Sequence, residues 1–265
     1  MLRTLRAYPA LLRVGLAEMV AYRAEFLVWI LTTNMPLVMM GLWTSVAADG
    51  PVGRFSQNDF VTYYLAVLIV RIVTNNWLVW EMTMDVRQGT MVTRLLRPIS
   101  PLIQYSAEHV AAVPMRILMI SPVIGLLLWV GGKTLMFGSL ERALVFFVSL
   151  LGAWMILFFT MITIGSLAMF VQSALSIFDM WLAVHFVLSG YLFPLELLPA
   201  WVAPISAATP FRYTLALPVE IWIRKIDMAS AWRDLGIQWL FVLIMCATAL
   251  TVWRRGMRRF VAFGG

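Results

Sequence analysis

The sequence predicts an all-α polytopic membrane protein: six transmembrane helices, an N-terminal amphipathic interfacial helix, and a broken re-entrant helical hairpin between spans five and six. Three observations lead there. Hydrophobic residues make up 62% of the 265 and charged residues only 12%, a balance that fits a membrane-embedded chain and not a water-soluble core. Ala143 to Phe178 is a run of 36 residues without a charged side chain; as one helix it would measure roughly 54 Å, against about 30 Å of hydrocarbon. It must fold back on itself, and Gln172, Ser173, Ser176 and the flanking Asp179 mark the turn. Finally, five of the twelve prolines fall in the 25 residues from Pro194 to Pro218, in a segment that stays apolar. Helices broken that often are too short to cross and read as re-entrant or interfacial.

The elements follow in order within a single domain, 1–265. In residues 1–24, Leu2, Leu5, Leu11, Leu12 and Leu16 alternate with Arg3, Arg6 and Arg13. That pattern suits an amphipathic helix in the interface, bent at Pro9, or an arginine-rich leader that anchors topology. The spans fall at about 26–48, 60–80, 110–130, 144–171, 178–193 and 235–253. Between them, 81–108 is the cytoplasmic connection and 194–233 the external re-entrant segment. No cleavable signal peptide is expected, because the first long apolar run starts near Phe26.

An even number of spans puts both termini on one side. If that side is cytoplasmic it collects eleven arginines, Arg3, Arg6, Arg13, Arg23, Arg87, Arg94, Arg97, Arg254, Arg255, Arg258 and Arg259. The other side holds seven basic residues, four of them in the one long segment that weighs least in setting topology. The net charge of +7 is thus placed beside apolar runs, which argues for membrane loops and against nucleic-acid binding.

Tests for catalysis fail. Cys246 is the only cysteine, so neither an intrachain disulfide nor a cysteine zinc site can form. Gly132-Lys133-Thr134 ends like a phosphate-binding loop, but Leu127 stands where its first glycine belongs. The two histidines, His109 and His185, lie in different segments, and no metal is expected. There is no G-x-S-x-G; Gly165-Ser166 and Ser189-Gly190 read as small residues that let helices approach.

Polar residues inside spans need a reason. Arg71 and Asn75 lie one turn apart and share a face, either lining a pathway or interface or pairing with a carboxylate on another helix. Arg116, near a span end, is expected to snorkel to the cytoplasmic surface, Glu108-His109 to form an interfacial pair, and His185 to pack. In the cytoplasmic connection, Thr90 to Leu96 predicts a short helix ended by Pro98, with Met91, Leu95 and Leu96 on an apolar face and Arg94 and Arg97 on a basic one.

That connection carries a resemblance. Asp85, then Arg87-x-Gly89-Thr90, Arg94, the pair Leu95-Leu96 and Arg97-Pro98-Ile-Ser-Pro101 resemble the coupling region of ABC-2-type transporter permeases, especially a viologen-exporter-like branch. The segment Pro194-x-x-x-x-Pro199 followed by Pro210-Phe211 is similar to the broken external hairpin before the last span in that family. The resemblance implies a permease subunit of an exporter in the bacterial cytoplasmic (inner) membrane. It implies no cofactor in this chain; ATP and Mg2+ would sit on two separate ABC ATPase subunits docked on Asp85 to Arg97. It further implies a second permease, identical or different, and a hydrophobic or cationic drug-like cargo. Trp29, Trp43, Tyr63, Tyr64, Trp77, Trp80, Trp154 and Phe158 could hold such cations or form interface belts. Lipid or glycan export by the same fold, and a non-transporting membrane enzyme or scaffold, stay open. An ion-driven carrier is disfavoured, since the two halves show no repeat and no mid-span acid.

Overall fold

The computed structural model describes residues 2–21, 35–131 and 138–260. Its regular elements are helices: α1 (Leu2–Ala21), α2 (Met35–Val46), α3 (Gln57–Thr74), α4 (Leu78–Gln88), α5 (Met91–Leu95), α6 (Pro101–Ala111), α7 (Val113–Gly131), α8 (Leu140–Ser166), α9 (Ala174–Leu188), α10 (Ala203–Ala207), α11 (Phe211–Thr214), α12 (Ala216–Trp222) and α13 (Met228–Met257). Among the described residues, four stretches are long and apolar enough to cross a membrane: Gln57–Gln88, Pro101–Trp129, Leu140–Met169 and Met228–Met257. α2 and α9 are apolar but shorter, at 12 and 15 residues. Residues 26–34 of the expected first span and the Gly132-Lys133-Thr134 fragment lie outside the described residues.

Local chemistry explains where the long helices begin. Ser56 and Asp59 form a reciprocal capping box: the Ser56 hydroxyl accepts from the Asp59 amide at 3.3 Å, and the Asp59 carboxylate accepts from the Ser56 amide at 3.0 Å. Ser139 caps α8 by accepting from the Arg142 amide at 3.2 Å, and Asp227 caps α13 by accepting from the amides of Ala229 and Ser230. Arg254 and Arg255 in the last turn of α13 complement its negative end.

The core is built on α8, which packs against α13, α4 and α12. Close approach depends on glycines. A Cβ at Gly152 would lie 2.9 Å from the Gln238 side chain, and one at Gly165 would lie 2.9 Å from Met82. Gln238 is fully buried and donates to the carbonyls of Ser149 at 2.9 Å and Tyr213 at 2.8 Å, which fastens α13 to α8 and α11.

Several expectations meet a different geometry. The stretch expected to span 60–80 as one helix breaks at residues 75–77, between α3 and α4. The long apolar run does fold back at residues 170–173, but Asp179 is exposed on α9 and takes no part in the turn; the last turn before it is a 3-10 helix, Leu167–Met169. α1 runs through Pro9 and packs along α6, with Gly15 against Ala111 and the Tyr8 and Ser106 hydroxyls 3.4 Å apart. Residues 194–233 do contain short helical pieces, a 3-10 turn (Leu195–Leu197) and α10 to α12, before α13 begins. All seven residues of α12 are buried.

Candidate functional site

Two polar sites sit at opposite ends of α4. At its C-terminal end Gly89, with φ of 76°, adopts the left-handed conformation that ends the helix and turns the chain into α5. The turn brings Asp85 against three donors: the Thr90 hydroxyl at 2.7 Å, Arg94 Nε at 2.7 Å and the Tyr105 hydroxyl at 2.5 Å. Arg94 also donates to Glu108 Oε1 at 2.7 Å, and its Cζ lies 4.1 Å from the centre of the Tyr105 ring. Burial works against the guanidinium charge, but the Glu108 hydrogen bond and the nearby Tyr105, Glu108 and Asp85 outweigh it and hold the Arg94 pKa above its ordinary value. Buried Gln104 donates to the carbonyls of Arg94 and Ile99 and accepts from Arg97 at 3.1 Å, fixing the Pro98 corner. A polar cavity of about 400 Å³ separates this knot from α1, with Glu18 on the opposite wall.

The sequence-predicted coupling residues thus divide into two groups. Asp85, Thr90 and Arg94 are engaged inside the chain. Arg87 is exposed and donates to the Gln172 carbonyl in the turn between α8 and α9. The expected apolar face of α5 is split, because Met91 is buried while Leu95 and Leu96 are exposed, Leu96 to 80%. Leu96 and Arg97 together form the outward tip. Glu108 and His109 do not pair with each other: Glu108 faces Arg94, and His109 Nε2 lies 3.5 Å from Glu81.

At the N-terminal end of α4 the broken helix borders a cavity of about 90 Å³. Its wall includes Arg71, Asn75, Asn76 and Trp77 from the break, with Trp181 and His185 from α9 and Tyr191 beyond it. Arg71 Cζ lies 4.9 Å from the Tyr191 ring centre, and His185 stacks on Trp181 at 4.8 Å. His185 thus stacks, but its buried Nδ1 has no hydrogen-bond partner among the described residues. Arg71 and Asn75 do share this wall. Arg116 does not snorkel; it is buried and donates to the Asn75 carbonyl, because the break frees carbonyls that a buried guanidinium can satisfy. Asn76, Trp181 and Tyr191 were not singled out by sequence reasoning. The one signal for the break was the pair Asn75-Asn76, residues whose side chains compete with helical hydrogen bonds.

α12 and its neighbours hold a third cluster. Arg212 bridges Glu220 at 2.9 Å and Asp234 at 3.0 Å, both buried. Lys225 reaches Asp59 at 3.2 Å, and Arg54 reaches Glu196 at 2.7 Å. These pairs tie the short helices to α3 and α13. Tyr63 and Tyr64 of α3 add to the fastening by donating to the carbonyls of Gly190 at 2.6 Å and Leu192 at 2.7 Å.

Comparison with known proteins gives one family. The model of the ABC-2 family transporter protein matches residues 27–264, nearly the whole chain, and the chain belongs to that family. No curated protein matches it.

Proposed function

We propose that this member of the ABC-2 transporter family is the permease subunit of an ATP-driven exporter, working with two separate ABC ATPase subunits and a second permease. Family membership supports a multi-pass transmembrane subunit that is not itself catalytic. In this reading α2 with the residues before it, and α9, complete six spans. Both termini lie in the cytoplasm of a bacterial cell, and 194–233 forms a re-entrant hairpin on the outer side.

The observation that carries the proposal is the tip at Leu95 to Arg97. It is an exposed apolar and basic corner between two stretches long and apolar enough to span, Gln57–Gln88 and Pro101–Trp129, and it is held from behind by the Asp85–Arg94–Glu108 knot; in this reading it faces the cytoplasm. A large exposed leucine on so well-tied a corner is a natural anchor for a groove on a partner. Movement of that corner would travel along two routes. One is α4, 11 residues or roughly 16 Å, which ends at the break and its cavity. The other is the Arg87 bond to Gln172, which links the corner to α9 and hence to Trp181 and His185. Closure of the ATPases would shift both walls of the cavity together, as alternating access requires.

The aromatic cavity supports an amphiphilic, largely hydrophobic cargo; lipid export by the same architecture is tested by the same assays. The decisive experiment is gentle purification from native membrane with identification and stoichiometry of what co-elutes. An ATPase is expected, and Leu96→Asp with Arg97→Glu should release it while leaving the permease folded. A chain that elutes alone under several mild conditions would overturn the reading.

A further inference from the structure

We infer that the cavity at the broken helix is a binding site for the negatively charged head of an amphiphile, and that it discriminates against hydrophobic cations. The inference rests on the permease reading only in taking the ligand to be cargo; the binding itself does not depend on it.

The first observation is an unpartnered polar side chain. Asn76 is 6% exposed and lines the cavity, yet neither its amide nitrogen nor its carbonyl oxygen has a hydrogen-bond partner among the described residues. The Tyr191 hydroxyl and His185 Nδ1, on the same cavity, are likewise buried without partners there. Buried polar groups are nearly always satisfied, and a group of them converging on one space points to a ligand with complementary atoms.

The second observation is the sign of the local field. α4 begins beside the cavity: its N-cap Trp77 lines the wall, and no side chain caps this helix start. The negative end of α3 is by contrast neutralised, since the Asn75 carbonyl receives Arg116. Glu81, in the first turn of α4, is directed to His109 and does not line the cavity. Arg71 brings a guanidinium to the same wall. Broken membrane helices bind anionic groups by this arrangement of amides and side-chain donors.

The third observation concerns the aromatic rings, which by themselves would suit a cation. The nearest phenol face is already taken: Arg71 Cζ sits over Tyr191. An organic cation would have to displace or approach that guanidinium. At about 90 Å³ the space holds roughly three waters' worth of volume, enough for a carboxylate or phosphate head but not for a large ring system. The attached apolar body would lie against Phe178, Trp181 and Leu182, which border the same space.

The test uses the full chain, as it co-purifies, in nanodiscs of neutral phosphatidylcholine. The probes are a dansyl-labelled undecanoic acid and the matching dansyl-labelled undecylamine, followed by fluorescence anisotropy. The acid should bind at least about tenfold more tightly than the amine, the size expected for one charge-assisted hydrogen bond. Asn76→Leu should weaken the acid about tenfold without lowering the melting temperature, because it removes a buried amide that has no partner to lose. Arg71→Lys should keep part of the preference, and Arg71→Met should abolish it. Competition by phosphatidylglycerol would identify a lipid headgroup as the source; no competition would identify a separate exported anion, and either result supports the site. Equal binding of acid and amine, or an unchanged affinity in Asn76→Leu, would overturn it. Since binding is read without ATP hydrolysis, failure here leaves the co-purification result standing, and the reverse also holds.

Discussion

Arg94 and Arg71 each lie over a tyrosine ring, yet their surroundings are opposite. Arg94 is gripped by Asp85 and Glu108, and its neighbours Gln104 and Thr90 are hydrogen-bonded as well. Arg71 lines a cavity beside Asn76 and Tyr191 atoms that have no hydrogen-bond partner among the described residues. A saturated network fixes geometry, while an unsaturated one leaves donors for something else. The knot around Arg94 is therefore the part whose geometry is fixed, and in the proposed reading the break at residues 75–77 is the part that takes a ligand.

The contrast can be broken hardest at Arg94. Arg94→Met leaves Asp85 and Glu108 facing each other without their cation, and should cost about 3 kcal/mol, read as a large fall in melting temperature and folded yield in detergent. Reversing Arg94 and Arg97 together would thus report mostly on folding, which is why the docking test belongs on Leu96 and Arg97. Next in size, Tyr105→Phe removes a bond to a carboxylate and should cost about 2 kcal/mol by the same measurement. Arg71→Met should lower stability by no more than about 1 kcal/mol, since the lost ring contact is offset by one fewer buried charge. It should nonetheless abolish transport in a vesicle assay.

A smaller effect sharpens the comparison from the third cluster. Burial raises the Glu220 carboxyl above its ordinary range, and the Arg212 charge and hydrogen bond only partly offset this. The folded chain therefore keeps that proton to higher pH than the unfolded one. Its contribution is complete below the unfolded pKa and is lost as pH rises through the folded value. Melting curves for Glu220→Gln should show a shallower decline over that rise than the native chain. Smallest of all, Leu96→Asp alone should leave stability within about 0.5 kcal/mol of native while weakening ATPase recovery.

Much of the architecture was legible because it depends on local quantities. Apolar run length gives spanning helices, and an overlong run must turn, as it does at residues 170–173. Prolines spaced a few residues apart break a segment, and residues 194–222 are indeed short pieces. Met91–Leu95 is helical as its pattern predicts. What pairs with what was not legible: Asp85, Arg94 and Glu108 come from three helical segments, and their charges look equally available for docking until the fold brings them within 2.7 Å.

The sequence by itself determined that this chain belongs in a membrane, roughly where its helices run, and which connection carries the basic tip, because hydrophobicity, charge and proline act over a few neighbouring residues. Tertiary structure alone decided that Arg94 is an internal clamp, that Arg116 serves a broken helix instead of the surface, and that Asn76 lines a cavity with Arg71. Those outcomes depend on distances between segments far apart in the chain, and burial decides them by making every unpaired polar group costly unless another segment, or a ligand, reaches it.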